Sequence, residues 1–126
     1  EIKRIFETNF FAQIHLIQLV SRLMRKNKDG YIVNISSTSS FQNEPGNVAY
    51  GTSKAALNYA TKIIAKELGV YGINVNCIAP GVTNTSMLKK MDEKAIQKQL
   101  LKSSNNKMAE PHEIADLVNF LCSKNK

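Results

Sequence analysis

Residues 30–81 read GYIVNISSTSSFQNEPGNVAYGTSKAALNYATKIIAKELGVYGINVNCIAPG, and this stretch decides the fold. It opens with Tyr31-Ile-Val-Asn-Ile35, a short, nearly unbroken apolar run of the kind found in strands covered on both faces. Ser36 to Gly46 is polar, holds Pro45 and Gly46, and reads as a loop. From Asn47 to Leu68 apolar residues recur at helical spacing, through Ala49, Ala55, Ala56, Leu57, Ala60, Ile63, Ile64 and Leu68. Gly69 and Gly72 flank the end of that helix, where glycine supplies a left-handed cap. Ile73 to Ala79 is a second strand, stopped by Pro80-Gly81. Strand, long helix, strand is the pattern of a right-handed parallel crossover.

The flanks extend the same pattern. Ile2, Ile5, Phe6, Phe10, Ile14, Ile17, Val20, Leu23 and Met24 predict an amphipathic helix over residues 2–27, ended by Asn27-Lys28-Asp29-Gly30. Residues 86–103 form a Lys-rich helical segment, with Met87, Met91, Ile96 and Leu100 inward. Glu110-Pro111 begins a last helix carrying Ile114, Leu117, Val118 and Leu121. The order α-β-α-β-α-α makes this an α/β layered fold, in which helices pack on a parallel sheet. No repeat and no linker divides the chain, so residues 1–126 are expected to form one domain.

Composition excludes several classes. Of 126 residues, 43% are hydrophobic and 21% charged, which is a globular balance. No run approaches the roughly 20 apolar residues of a membrane span. The chain opens on Glu-Ile-Lys-Arg, without an initiator Met or the apolar core of a secretory signal, so a secreted scaffold is not expected. The net charge of +7 raises a nucleic-acid reading. Yet Arg22, Arg25, Lys26 and Lys28 gather at a helix end, and Lys89, Lys90, Lys94, Lys98, Lys102 and Lys107 are spread along another segment. Lysines so placed complement a helix dipole or solvate a face, and no Arg cluster interleaves with aromatics. No nucleic-acid partner is expected. Cys77 and Cys122 form no CxxC and read as buried free thiols, which fits a cytoplasmic, reducing compartment. No residues fall at metal-ligand spacing. Asn34-Ile-Ser36 and Asn84-Thr-Ser86 match the glycosylation sequon only formally.

Ligands of open parallel sheets bind beyond the carboxyl ends of the strands. Two polar segments fall there: Ser36-Ser-Thr-Ser-Ser40, and Pro80-Gly-Val-Thr-Asn-Thr85. The helix that follows the first opens Tyr50-Gly-Thr-Ser-Lys54. Residues at i and i+4 share a helix face about 6 Å apart, so the ammonium can favour the phenolate and equip Tyr50 as a proton donor. A Tyr and a Lys on one helix face recur by chance, so the pair by itself is a weak signal.

The whole arrangement is far more specific. Asn9-Phe10-Phe11, the strand Gly30-Tyr-Ile-Val-Asn-Ile-Ser-Ser37, Tyr50-Gly-Thr-Ser-Lys54-Ala-Ala-Leu and Ile73-Asn-Val-Asn-Cys-Ile-Ala-Pro80-Gly81 resemble the short-chain dehydrogenase/reductase superfamily. The nearest branch is that of the 3-oxoacyl-acyl-carrier-protein reductases, and Ala109-Glu-Pro-His-Glu-Ile114 resembles that family's C-terminal segment. The resemblance runs in unbroken order through the chain.

It implies an NAD(P)-dependent oxidoreductase with a catalytic tetrad of Asn9, Ser37, Tyr50 and Lys54. Tyr50 would be the general acid for ketone reduction and the base for alcohol oxidation. Lys54 would assist Tyr50 and bind the nicotinamide ribose hydroxyls. Ser37 would polarise the substrate carbonyl, and Asn9 would interrupt its helix and hold a water linking Lys54 to solvent. Pro80 and Gly81 would shape the nicotinamide pocket, with the backbone near Thr83 and the side chain of Thr85 meeting the carboxamide. NAD or NADP would be the cofactor, and a small carbonyl or alcohol the substrate. A homodimer or homotetramer would form through helices 2–27 and 47–68.

The sequence departs from the family pattern in three respects. Ser40 stands where many relatives have Gly, and residues 86–108 correspond to a variable substrate lid. The Gly-rich dinucleotide turn after a first strand is absent, as are the N-terminal βαβ units and the last strand. The expectation is a partial Rossmann fold, the C-terminal-middle part of a reductase, inactive by itself. The alternative is a non-catalytic binding or assembly protein that retains part of the fold.

Overall fold

The apolar spacing from Ile2 to Asn27 folds as α1 (Ile2–Phe6), a π-helical turn (Glu7–Phe11) and α2 (Ala12–Asn27) in a computed structural model that describes residues 1–123. Lys28 ends α2 in the left-handed conformation, with its N–H directed to Arg25 O and Met24 O. The chain then enters β1 (Gly30–Ile35), crosses through α3 (Val48–Gly69) and returns as β2 (Ile73–Ile78). The two strands pair in parallel without a slip, Gly30 beside Ile73 and Ile35 beside Ile78. These residues form the first of two compact units, Glu1–Ala79; the second runs from Pro80 onward.

Register decides what the first core contains. In-register parallel pairing sets Ile32 beside Val75 and Asn34 beside Cys77, and alternation sends all four to one face. Ile32, Ile73 and Val75 meet Ile17 of α2 and Leu68 of α3, with Val20, Met24, Ile64 and Ala65 around them. Asn34 is buried among these groups and satisfied: its Nδ2 donates to Thr61 Oγ1 at 2.8 Å, and Thr61 donates to Leu57 O at 2.7 Å. A buried amide that found no partner would cost far more than the bond contributes.

The expectation that β1 is covered on both faces is met on one only. The helix that leads into β1 and the one that leaves it both supply side chains to the Ile32 face. Ile35, on the alternate face, is 41% exposed. The outer sides of both helices are also apolar: Leu16, Leu19 and Leu23 of α2, and Tyr59 and Ile63 of α3, are exposed.

At the opposite end from Ser37, two reversals lean on each other. Gly72 has φ +74°, and a Cβ added there would lie 2.7 Å from Lys28 O. Arg25 closes the same corner, its guanidinium 4.8 Å from the Tyr71 ring centroid. A side chain at Gly72 meets both the left-handed penalty and a backbone oxygen that cannot yield. Gly72→Ala is expected to destabilise the protein by about 2 kcal/mol, read as a lower denaturant midpoint at constant slope.

In the second unit the helical prediction for residues 86–103 is too long. A 3-10 turn (Leu88–Lys90) is followed by Met91 in extended conformation, and α4 covers only Glu93–Leu100. Asp92 starts α4 as its N-cap, its carboxylate accepting from Ala95 N at 2.7 Å. A capping aspartate belongs at a helix start, which is why no single helix runs through it. Next, α5 (Pro111–Leu121) opens with a capping box: Glu110 accepts from the Glu113 backbone, while the Glu113 carboxylate accepts from Glu110 N at 2.7 Å. Cys122 lies just past α5 and is exposed, not buried as expected, because α5 itself buries none of its residues; Cys77 is half-buried. Among the described residues no helix is long and apolar enough to cross a membrane.

Candidate active site

All four residues of the expected tetrad lie in the first unit. Asn9 occupies the π turn, where Ala12 N–H reaches back five residues to Glu7 O. π turns are uncommon and concentrate at functional sites. The widened turn packs against α3, and Asn9 Nδ2 donates to Ser53 Oγ at 3.1 Å. Ser53 is completely buried and donates in turn to Tyr50 O at 2.8 Å. A small hydroxyl at Ser53 thus joins the π turn to the first turn of α3. Its position three residues after Tyr50 marks it on the helix, but nothing in the sequence marks it as a bridge.

Tyr50 and Lys54 lie one helical turn apart, the Lys54 Nζ 5.9 Å from the Tyr50 ring centroid. Lys54 Nζ donates to Ile35 O, the last carbonyl of β1, at 2.9 Å. The reverse tie is made by Ser36, whose Oγ donates to Lys54 O at 3.1 Å. Strand end and helix start are therefore bolted together by two bonds of opposite direction. Burial pulls the Lys54 ammonium below the ordinary lysine range, and the nearby Cys77 sulfur partly offsets this. A half-buried cation that keeps one carbonyl partner retains donors for a ligand, since an ammonium carries three.

Ser37 follows directly. It is extended, and its Oγ accepts from Ser39 N at 3.1 Å, capping a 3-10 turn at Thr38–Ser40. The hydroxyl proton is not consumed by that bond. The turn lies against the first turn of α3: a Cβ at Gly51 would sit 3.1 Å from Ser39 O. Glycine beside Tyr50 permits this approach.

A cavity of about 300 Å³ opens elsewhere on the same unit, lined by Phe41, Asn58, Thr61, Lys62, Val75 and Cys77 among others. None of the tetrad lines it. Burial raises the Cys77 thiol above its usual range, countered in smaller measure by hydrogen bonds with Thr61 and Ser36 and by Lys54.

Pro80, Gly81, Thr83 and Thr85 begin the second unit. Thr83 forms a parallel bridge with Ala109, where Ala109 N donates to Val82 O at 2.8 Å and Asn84 N to Ala109 O at 2.9 Å. Thr83 Oγ1 donates to Gly81 O at 3.1 Å, so this side chain is turned to its own backbone. Asn84 Nδ2 reaches both Glu110 carboxylate oxygens, at 3.1 and 3.3 Å. Thr85 is exposed, and its carbonyl accepts from Leu88 N at 3.1 Å. Among the described residues, no group of three or more His, Cys, Asp and Glu side chains could hold a metal.

The chain matches the family model for enoyl-(acyl carrier protein) reductase over residues 1–126. A 3α-hydroxysteroid dehydrogenase of Mediterraneibacter gnavus is 34% identical over 123 residues, covering 98% of this chain and 49% of the relative. The 3-oxoacyl-[acyl-carrier-protein] reductase FabG of Thermotoga maritima is 35% identical over 119 residues, covering 94% and 48%. A 7α-hydroxysteroid dehydrogenase solved with NADH and 7-oxo glycochenodeoxycholic acid superposes with a TM-score of 0.90 at 35% identity, over 97% of this chain and 48% of its own. The chain spans about half the length of the curated relatives it matches. With a family match over residues 1–126 and solved relatives that superpose on nearly all of it, the chain belongs to the short-chain dehydrogenase/reductase superfamily, as a 3-oxoacyl-acyl-carrier-protein reductase-like member.

Proposed function

We propose that the protein is an oxidoreductase that uses NAD or NADP to interconvert a carbonyl group and an alcohol, with Tyr50 as acid and base. One observation carries the reading: Lys54 is held between the last carbonyl of β1 and the Tyr50 ring, at 2.9 and 5.9 Å, beside the strand end that presents Ser37. A scaffold has no physical need for that set of groups.

The donor set fits a nicotinamide nucleotide. The Lys54 ammonium and the Tyr50 hydroxyl suit a ribose diol, and Pro80, Gly81, Thr83 and Thr85 follow the neighbouring strand at its carboxyl end. When bound, the nicotinamide supplies or accepts the hydride. The chain's own groups do the rest. The Ser37 hydroxyl donates to the substrate oxygen and stabilises the charge that develops there. Tyr50 gives its proton to that oxygen in reduction and takes it in oxidation. Lys54 lowers the cost of the phenolate left behind. Asn9 belongs to the route by which the proton is replaced, through an ordered water between Lys54 and solvent.

Substrate is a small molecule with a ketone or secondary alcohol, chosen by residues 86–108 as a lid. The exposed apolar faces of α2 and α3 are the surfaces for a second copy, giving a dimer or tetramer. Two free thiols fit a cytoplasmic protein.

The test is nicotinamide absorbance at 340 nm with a panel of steroid, acyl and small ketones, with binding of NADH and NADPH measured separately by fluorescence. Failure of the whole protein to bind either nucleotide overturns the reading. A companion expectation concerns the 126 residues by themselves. Neither strand among the described residues runs through a glycine-rich turn into a helix, so the usual seat of a dinucleotide pyrophosphate is not among the described residues. The isolated 126-residue chain is expected to show no NAD(P)H-dependent carbonyl reduction, and measurable turnover by it refutes that expectation.

A further inference from the structure

Asn58 lies inside α3, where an asparagine is a poor choice for a helix unless its amide is needed. Its amide is engaged on both sides. Cys77 Sγ donates to Asn58 Oδ1 at 3.3 Å, and Asn58 Nδ2 donates to Ser40 Oγ at 2.7 Å. Ser40 Oγ then donates to Ser37 O at 2.6 Å, an oxygen that also accepts from Ser40 N at 3.0 Å. The thiol only gives and the carbonyl only receives, while the amide and the hydroxyl between them do both, so the chain has a single direction: thiol, amide, hydroxyl, carbonyl.

We propose that Asn58 is a positioning residue, which directs this one-way chain of hydrogen bonds at the Ser37 carbonyl and so holds the 3-10 turn that carries the Ser37 hydroxyl. The proposal rests on the reading of Ser37 given above. Direction matters because a serine hydroxyl has one proton. While Asn58 offers Ser40 a donor, that proton must go elsewhere, and Ser37 O is where it goes. If the amide turned, or became a carboxylate, Ser40 would spend its proton on Asn58 and release the carbonyl. Cys77 guards against the turn by keeping a donor on sulfur, and its burial maintains it as a thiol. The device is particular to a hydroxyl at position 40, since a glycine there has nothing to relay.

The experiment is a double-mutant cycle on the active protein, with amide exchange as an independent readout. Asn58→Ala and Ser40→Ala are each expected to lower kcat roughly tenfold or more, a misplacement cost, with the KM for cofactor within about twofold. The double variant should lose no more than the worse single one, because both cut the same chain. Asn58→Asp should speed exchange of the Ser39 and Ser40 amides, which are bonded to Ser37 Oγ and Ser37 O. Cys77→Val should speed it too, and Cys77→Ser should restore protection, since a hydroxyl can donate to Oδ1. Additive losses in the cycle, or unchanged exchange in Asn58→Asp, overturn the proposal. Loosened exchange with unchanged kcat also overturns it. If Ser37→Ala is then as active as the parent, the failure belongs to the reading of Ser37.

Discussion

Replacing Tyr50 by Phe is expected to lower kcat by about 10²–10⁴-fold while cofactor affinity stays within about twofold. The substitution removes one oxygen and little else. The ring that faces Lys54 at 5.9 Å remains, the Lys54 bond to Ile35 O at 2.9 Å does not involve it, and the Ser53 bridge uses the Tyr50 backbone. A loss of turnover therefore reports a missing proton and not a rearranged site. Steady-state kinetics and fluorescence titration of NADH on the same preparation separate the two effects. A variant that turns over at the parental rate would remove Tyr50 from the chemistry. A variant that loses cofactor as well would mean that the hydroxyl binds the ribose more than it moves a proton.

The second large effect is on stability. Leu57→Ala is expected to cost about 3 kcal/mol, a shift of more than a hundredfold in the folding equilibrium. Leu57 is 1% exposed on a face of α3 that also buries Ser53, Thr61 and Leu68. Its neighbours up and down the helix are small hydroxyl residues whose oxygens are already committed, Ser53 to Tyr50 O and Thr61 to Leu57 O. They cannot swing in to fill the space of an isobutyl group, so the cavity persists and adds to the lost transfer energy. Chemical denaturation of parent and variant measures it. A cost below about 1 kcal/mol would mean that the α3 face collapses freely, against the rigid bonding described.

The fold was legible where periodicity is strong. Residues 31–35 and 73–79 carry the alternation and apolar density of strands, and α3 the spacing of a long helix; each is found within a few residues of its prediction. Helices were misread where polar residues act as punctuation. Asp92 looks like one more charged residue in a Lys-rich run, yet its carboxylate ends one turn and begins the next. Cys122 is exposed for another reason: an apolar pattern such as Phe120-Leu121 implies burial only where the helix finds a surface to pack on, and α5 buries none of its residues.

The site divides in the same way. Tyr50 and Lys54 share a helix, so their proximity follows from spacing alone, and Ser37 lies at a strand end by simple counting. Asn9 is 44 residues from Ser53, and no pattern in either segment announces that they touch. Ser36 and Ser40 read only as part of a polar loop and Cys77 as a buried free thiol, and nothing in the sequence joins them to Asn58.

What the sequence determined by itself was therefore the local part: two strands, the crossover helix between them, and a Tyr and Lys on one face of it. Those features depend on repeats of two and about 3.6 residues, which a chain displays before it folds. Tertiary structure alone decided the rest. It chose which face of β1 is buried, turned Asn9 toward α3 through a π turn, and lined up Cys77, Asn58 and Ser40 behind Ser37. The physical reason is that a hydrogen bond between distant segments has no period. It exists only once packing has brought a donor and an acceptor to within about 3 Å and removed the water that would otherwise satisfy them.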